Sequence, residues 1–285
     1  MITVRLFLSV AAVRNWSVSQ LDVTNVFLHG DLPETVYMRL PPGYAYLSDQ
    51  CPSNSHEYVC KLVKSIYGLK QAPRRWFVKF STALKEYNFQ QSHSDNSLFT
   101  LHKNDQFVAV LVYVDDILMS GSSDKLIAEV KAYLLTKFKI KDLGPLKYFL
   151  GIEVARSAKC FYLNQRKYVL DLLRDTGMTV AKPSTIPIEQ NHSLLDNQSA
   201  LLKCSEASTY RQLVGRLIYL TITRPDLSYT VHVLSQFMNC PRVDHLYAVF
   251  RVLRYLKQSP GQGLLISATS PLTLTACCDS DWGGG

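Results

Sequence analysis

Along the chain, stretches that are apolar on most sides alternate with stretches that are apolar at every second position. Residues 2–16, "ITVRLFLSVAAVRNW", are of the first kind and predict a helix covered by its neighbours. "SVSQLDV" (17–23) predicts a short strand ending near Asp22, and "ETVYMRL" a second one that the prolines of "LPPGY" terminate. Pro73 opens a helix in which Trp76, Phe80, Leu84 and Tyr87 recur at spacings of 4, 4 and 3, so that one stripe meets a core. "QFVAVLVYV" (106–114) is apolar on both alternating faces, as a strand covered on both sides is. "ILMSG" resumes that pattern after two aspartates, which predicts a buried hairpin. Ser123 or Asp124 caps a further helix with Leu126, Val130, Leu134 and Phe138 along one face. "LGPLKYFLGIEVARSAKCFYLNQ" then reads as turn, strand, turn, strand.

From about residue 166 the pattern becomes helical. "AKPSTIPIEQNHSLLDNQSA" (181–200) reads as a linker, and Pro225, Asp226 and Pro241 mark two more helix starts. A last strand, "LTLTACCD", is expected from 272. The predicted class is α+β, divided into residues 1–165, a mainly helical 166–268 and a terminal 269–285.

Composition narrows the function. The 285 residues are 47% hydrophobic, enough for one sizeable core or two smaller ones. Lys and Arg outnumber Asp and Glu by 31 to 23, and the resulting net charge of +8 favours a polyanionic partner. Seven cysteines form no CxxC pair and leave an odd count, which speaks against a zinc site or a disulfide framework. An intracellular compartment, cytoplasmic or nuclear, is expected on that ground. Arg5 interrupts the apolar opening, and no uncharged apolar run reaches the roughly 18 residues of a membrane span, so no membrane partner is expected.

The two aspartates, Asp115 and Asp116, are the chemically unusual feature, because they interrupt apolar runs where a sheet buries its core. In a regular strand they would face opposite ways; at a hairpin tip they can approach one locus. A turn-forming role accounts for them equally well on local sequence. Asp22, closing a separate strand, is placed to join them at the same sheet edge. Three bare carboxylates there would repel one another by several kcal/mol, and hard divalent cations relieve that repulsion. A pair of such ions can activate an attacking oxygen and stabilise a leaving one. A metal-dependent nuclease and a metal-dependent transferase both fit this much.

"QLDVTNVFLHGDLPETVYMRLPPGY", "KLVKSIYGLKQAPRRWF", "LVYVDDILMSG" and "YFLGIEV" resemble, in order and spacing, the reverse transcriptase of copia-type retrotransposon polyproteins. The likeness continues through "YRQLVGRLIYLTITRPDLSYTVHVLSQFMNCP" and "VLRYLKQSPGQGL" to "CDSDWGG". It implies a right-hand polymerase palm with partial fingers over residues 1–165, a helical thumb and connection over 166–268, and the start of an RNase H domain over 269–285. It implies DNA synthesis from dNTPs on a primed RNA or DNA template with two Mg²⁺ ions, or Mn²⁺ in their place. Carried over by motif, Asp22, Asp115 and Asp116 are the metal-holding catalytic carboxylates. Phe27 and Gln71 become nucleotide contacts, the first against the deoxyribose, and Arg74, Arg75 and Lys79 candidate nucleic-acid contacts. Arg211, Arg216 and Arg224 are further candidates for backbone contact.

The family pattern carries a segment ahead of "TVRLFLSVAAVRNW", so early finger strands are expected to be missing. Asp279 would be a lone RNase H carboxylate, without that activity. Two readings follow: an active RNA-directed DNA polymerase, or a catalytically inactive truncated remnant that at most binds nucleic acid.

Overall fold

The structure is a computed structural model that describes residues 2–42, 58–190, 194 and 199–278. The chain divides into two compact units, Trp16–Leu146 and the combination of Met1–Asn15 with Lys147–Gly285. The first helix, α1 (Ile2–Val13), thus belongs with the later part of the chain.

The unit Trp16–Leu146 is a sheet backed by two helices. Its strands are β1 (Val18–Val23), β4 (Gln90–Gln91), β5 (Leu98–Lys103), β6 (Gln106–Tyr113), β7 (Asp116–Gly121) and β8 (Ile140–Pro145), in the order β4-β5-β6-β7-β1-β8. Two short strands, β2 (Tyr37–Arg39) and β3 (Val59–Lys61), form a separate antiparallel ribbon. The helices α2 (Ala72–Glu86) and α3 (Asp124–Lys137) bury Trp76, Phe80, Leu84, Leu126, Val130 and Leu134 against Leu21, Val23, Val110, Ile117 and Met119 of the sheet. Pro73 opens α2 as expected, and the Ser123 hydroxyl caps α3 by accepting the Leu126 N–H. Alternation along the strands then sends Gln20, Asp22 and Asp116 to the face opposite that core.

In the other unit, β9 (Tyr148–Phe149), β10 (Ile152–Arg156), β11 (Cys160–Asn164) and β12 (Leu264–Ser267) form a four-stranded antiparallel sheet. α1 packs on β11 and β12 through one stripe, Val4, Phe7, Leu8, Ala11 and Ala12. Ile2 and Leu6 on its other side remain exposed, so the helix is amphipathic rather than covered all round. The helices α4 (Arg166–Asp175), α5 (Cys204–Leu220), α6 (Ser228–Ser235) and α7 (Val243–Gln258) enclose a second core of Leu172, Tyr210, Leu217, Leu234, Val249 and Leu253. The strand expected from 272 is absent among its described residues. "LLIS" at 264–267 pairs with β11 instead, while Leu274 is exposed. An alternating pattern makes a strand only where a ladder receives it, and the turn after α7 delivers the earlier segment to that edge. Asp279 lies outside the described residues, as does part of the expected linker.

Candidate active site

Asp22 and Asp116 are direct partners in the antiparallel β1–β7 ladder, and Asp116 also pairs with Tyr113 across the β6–β7 hairpin. Directly opposed residues share a face, so Tyr113, Asp116 and Asp22 form a row across three strands. On the other side of Asp22 its ladder partner on β8 is Lys141, which extends the row by a cation. Asp115 stands in the two-residue turn between Tyr113 and Asp116, beside Val114. Val114 has φ of 55° and Asp115 is not among the residues of positive φ, the φ signs of a type II′ hairpin turn.

The hairpin tip is tied on two sides. The Val23 N–H donates to the Asp115 carbonyl at 3.0 Å, and the Trp76 indole Nε1–H donates to the Val114 carbonyl at 2.7 Å. Gln20, buried two residues before Asp22 and on the same face, donates from Nε2 to Asp116 Oδ1 at 3.0 Å. Burial pushes the Asp116 carboxyl above its ordinary range, the Asp115 and Asp22 charges push it further, and the Gln20 bond opposes them. The three sequence-predicted carboxylates are therefore electrostatically coupled at one locus.

Among the described residues, no group of three or more His, Cys, Asp or Glu side chains stands ready to hold a metal ion. The donor set itself fits a hard cation: carboxylates only, two of them paired across the ladder, with the charges of Asp115 and Asp22 raising the carboxyl of Asp116. Mg²⁺ characteristically takes one or two carboxylates and completes its shell with water and substrate phosphates, so a full protein cage is not required.

The residues expected on the nucleotide side fall on neighbouring elements. Phe27 sits half-buried on the 3-10 helix Val26–His29 that directly follows β1. Its ring meets Tyr67 edge-on, with centroids 4.7 Å apart. The Ser65 hydroxyl holds the Phe27 carbonyl at 2.8 Å, and Gly30 permits the close approach, since a Cβ there would lie 2.4 Å from Ser65 Oγ. Gln71 is turned to Glu34, its Nε2 donating to Oε1 at 3.1 Å, and Arg75 binds the other oxygen of the same carboxylate at 2.8 Å. Lys79 pairs with Asp31 at 2.8 Å, while Arg74 is exposed.

In the other unit Arg211, Arg216 and Arg224 each have a partner within the protein. Arg224 is 1% exposed, bound by Asp226 and the Ser259 carbonyl, so it meets no template. Arg216 pairs with Asp175, and Arg211 donates to the Met238 carbonyl. The local pattern along the chain does not single out Gln20, Tyr67 or Lys141, and Trp76 reads from it only as core. The period-two position of Gln20 relative to Asp22 was the one available signal.

A family model described as reverse transcriptase (RNA-dependent DNA polymerase) matches residues 1–190. The chain is 44% identical over 282 residues to the retrovirus-related Pol polyprotein from transposon RE1 of Arabidopsis thaliana, covering 99% of this chain and 19% of that protein. It is 36% identical over 293 residues to the corresponding polyprotein from transposon TNT 1-94 of Nicotiana tabacum, covering 100% of this chain and 22% of that one. It is 32% identical over 265 residues to the putative transposon Ty5-1 protein YCL074W of Saccharomyces cerevisiae, covering 92% and 83%. The chain thus spans about a fifth of the length of the plant polyproteins it matches.

Proposed function

The chain belongs to the reverse transcriptase (RNA-dependent DNA polymerase) family, with copia-type Pol polyproteins as its relatives, and from that premise we propose that it adds deoxynucleotides to a primer 3′-hydroxyl on an RNA or DNA template. The observation that carries this reading is the facing pair Asp22 and Asp116 with Asp115 in the adjoining turn. The sheet of β1, β6, β7 and β8 with α2 and α3 behind it takes the part of the palm, and the helical region after residue 166 that of thumb and connection.

Asp22, Asp115 and Asp116 would hold two Mg²⁺ ions, or Mn²⁺, which when bound supply the positive charge that acidifies the primer hydroxyl and balances the triphosphate. The chain's own residues do the rest. Asp22 and Asp116 present their carboxylates from opposed strand positions, so rigid backbone sets their spacing. Gln20 restrains Asp116 in rotation. Phe27 and Tyr67 form an aromatic wall against which a deoxyribose can stack and a 2′-hydroxyl would collide. Lys141, opposite Asp22, offers a cation on the face where charge develops as pyrophosphate leaves. Gln71 reaches a nucleotide by exchanging its bond to Glu34. Arg74, Arg75 and Lys79 line one helix as phosphate contacts; the half-exposed pair of Arg75 and the exposed pair of Lys79 are worth little in water and yield readily to a polyanion.

Primer extension on an RNA template with dNTPs and Mg²⁺, with Asp115→Asn as control, tests the reading. Incorporation well above the control is expected. Incorporation equal to it, with salt-sensitive primer-template binding retained, would instead support the inactive remnant.

A further inference from the structure

Trp76 is 1% exposed, and its ring packs against Phe80 at 5.1 Å and Phe138 at 5.3 Å. Such a residue completes a core stripe without any polar contact. Its indole N–H nevertheless meets the carbonyl of Val114, the first turn residue of the hairpin that carries Asp115. Val114 is also conformationally unusual. At φ of 55° it is the one β-branched residue with positive φ among the described residues, in a region that β-branched side chains avoid. A strained peptide persists only where its surroundings over-determine it. Here the Val114 carbonyl accepts from Trp76 behind the sheet, and the next carbonyl, that of Asp115, accepts from the Val23 N–H of β1. Two successive peptides are thus held from two different elements.

We propose that Trp76 is a positioning residue, its indole N–H locking the strained Val114 peptide so that the Asp115 carboxyl is presented beside the Asp22–Asp116 pair. The inference rests on the polymerase reading for its functional consequence and on the Trp76 hydrogen bond and the Val114 backbone for its structural one. Phenylalanine at 76 keeps an aromatic ring in the core and removes the donor. Released from Trp76, the Val114 peptide rotates toward ordinary backbone conformations, and a displacement on the order of 1 Å at a reacting group lowers rates by as much as about a hundredfold.

The test uses the full chain and two readouts. Hydrogen exchange in Trp76→Phe should rise at the amides of 113–116 by about tenfold or more, while the amides of α2 and β5 keep their protection. Primer extension should show kcat reduced about tenfold, an increased Mg²⁺ requirement, and unchanged affinity for primer-template. Phe80→Leu, which loosens the same core without touching the turn, should leave the hairpin no more mobile than the rest of the unit. Hairpin exchange unchanged in Trp76→Phe, or raised only as much as in Phe80→Leu, overturns the lock. A wild-type chain that incorporates nothing overturns the polymerase reading instead, and the exchange measurement still decides the lock.

Discussion

Gln20 and Asp116 are joined by a 3.0 Å hydrogen bond across the β1–β7 ladder, an amide buried to 7% exposure restraining a carboxylate pressed by two like charges. Replacing Gln20 by Leu removes the donor at nearly constant volume. The expected result is a loss of about 1 kcal/mol in urea unfolding and a roughly tenfold lower kcat, because Asp116 then turns freely. Steady-state extension kinetics beside urea titration separate the two effects.

Asn at position 22, 115 or 116 should reduce incorporation by about a hundred- to a thousandfold, the scale seen when one preorganised electrostatic group is removed. Stability should move the other way for Asp116→Asn, whose melting temperature in the absence of divalent ions is expected to rise, since burial and the Asp115 and Asp22 charges disfavour the ionised group. A melting temperature that falls would contradict the mutual repulsion.

Phe27→Ala opens the aromatic wall shared with Tyr67. Ribonucleotide discrimination, measured as the ratio of kcat/KM for dNTP over rNTP, should fall about tenfold or more while the fold is retained. Equal discrimination in wild type and variant would remove Phe27 from the nucleotide site.

Single alanine substitutions of Arg74, Arg75 and Lys79 should shift unfolding stability by no more than about 0.5 kcal/mol, as expected for exposed charges with partial pairing. Each residue that meets phosphate should lower the slope of log K against log salt by about one. An unchanged slope for all three assigns them to a solvated helix face.

In the other unit, Asp226 is the counter-ion of buried Arg224 and also accepts from the Tyr255 hydroxyl at 2.9 Å. Burial raises its carboxyl, but the Arg224 and Tyr255 bonds outweigh burial and hold it below the usual carboxylate range. A depressed folded-state pKa adds stability that is complete above the ordinary carboxylate value of about 4 and is lost as pH falls through the folded value. Asp226→Asn should therefore cost about 2–3 kcal/mol at neutral pH, with the gap to wild type narrowing below about pH 4. Denaturant melts at neutral and acid pH check the convergence.

Much of the scaffold was legible in the residues. The two-faced apolar run before Tyr113, its resumption at Ile117, the stripe of Trp76, Phe80 and Leu84, and the cap at Ser123 are local patterns, and β6, β7, α2 and α3 formed where those patterns lie. The strand β8 left no comparable signal, and the run from 272 looked like a strand without forming one among its described residues. Such segments depend on whether a neighbouring ladder receives them.

The sequence by itself determined that Asp115 and Asp116 interrupt an apolar hairpin, that Asp22 lies near the end of a separate strand, and that the family is that of reverse transcriptases, because identity and order of residues suffice for all three. Only the tertiary structure decided that Asp22 stands opposite Asp116 rather than one residue away, that Gln20 and Lys141 share their face, and that the indole of Trp76 ends on the Val114 carbonyl. Those relationships join residues far apart along the chain through register and packing. A one-residue slip of β1 would reverse every one of its side chains, and local sequence carries no measure of that register.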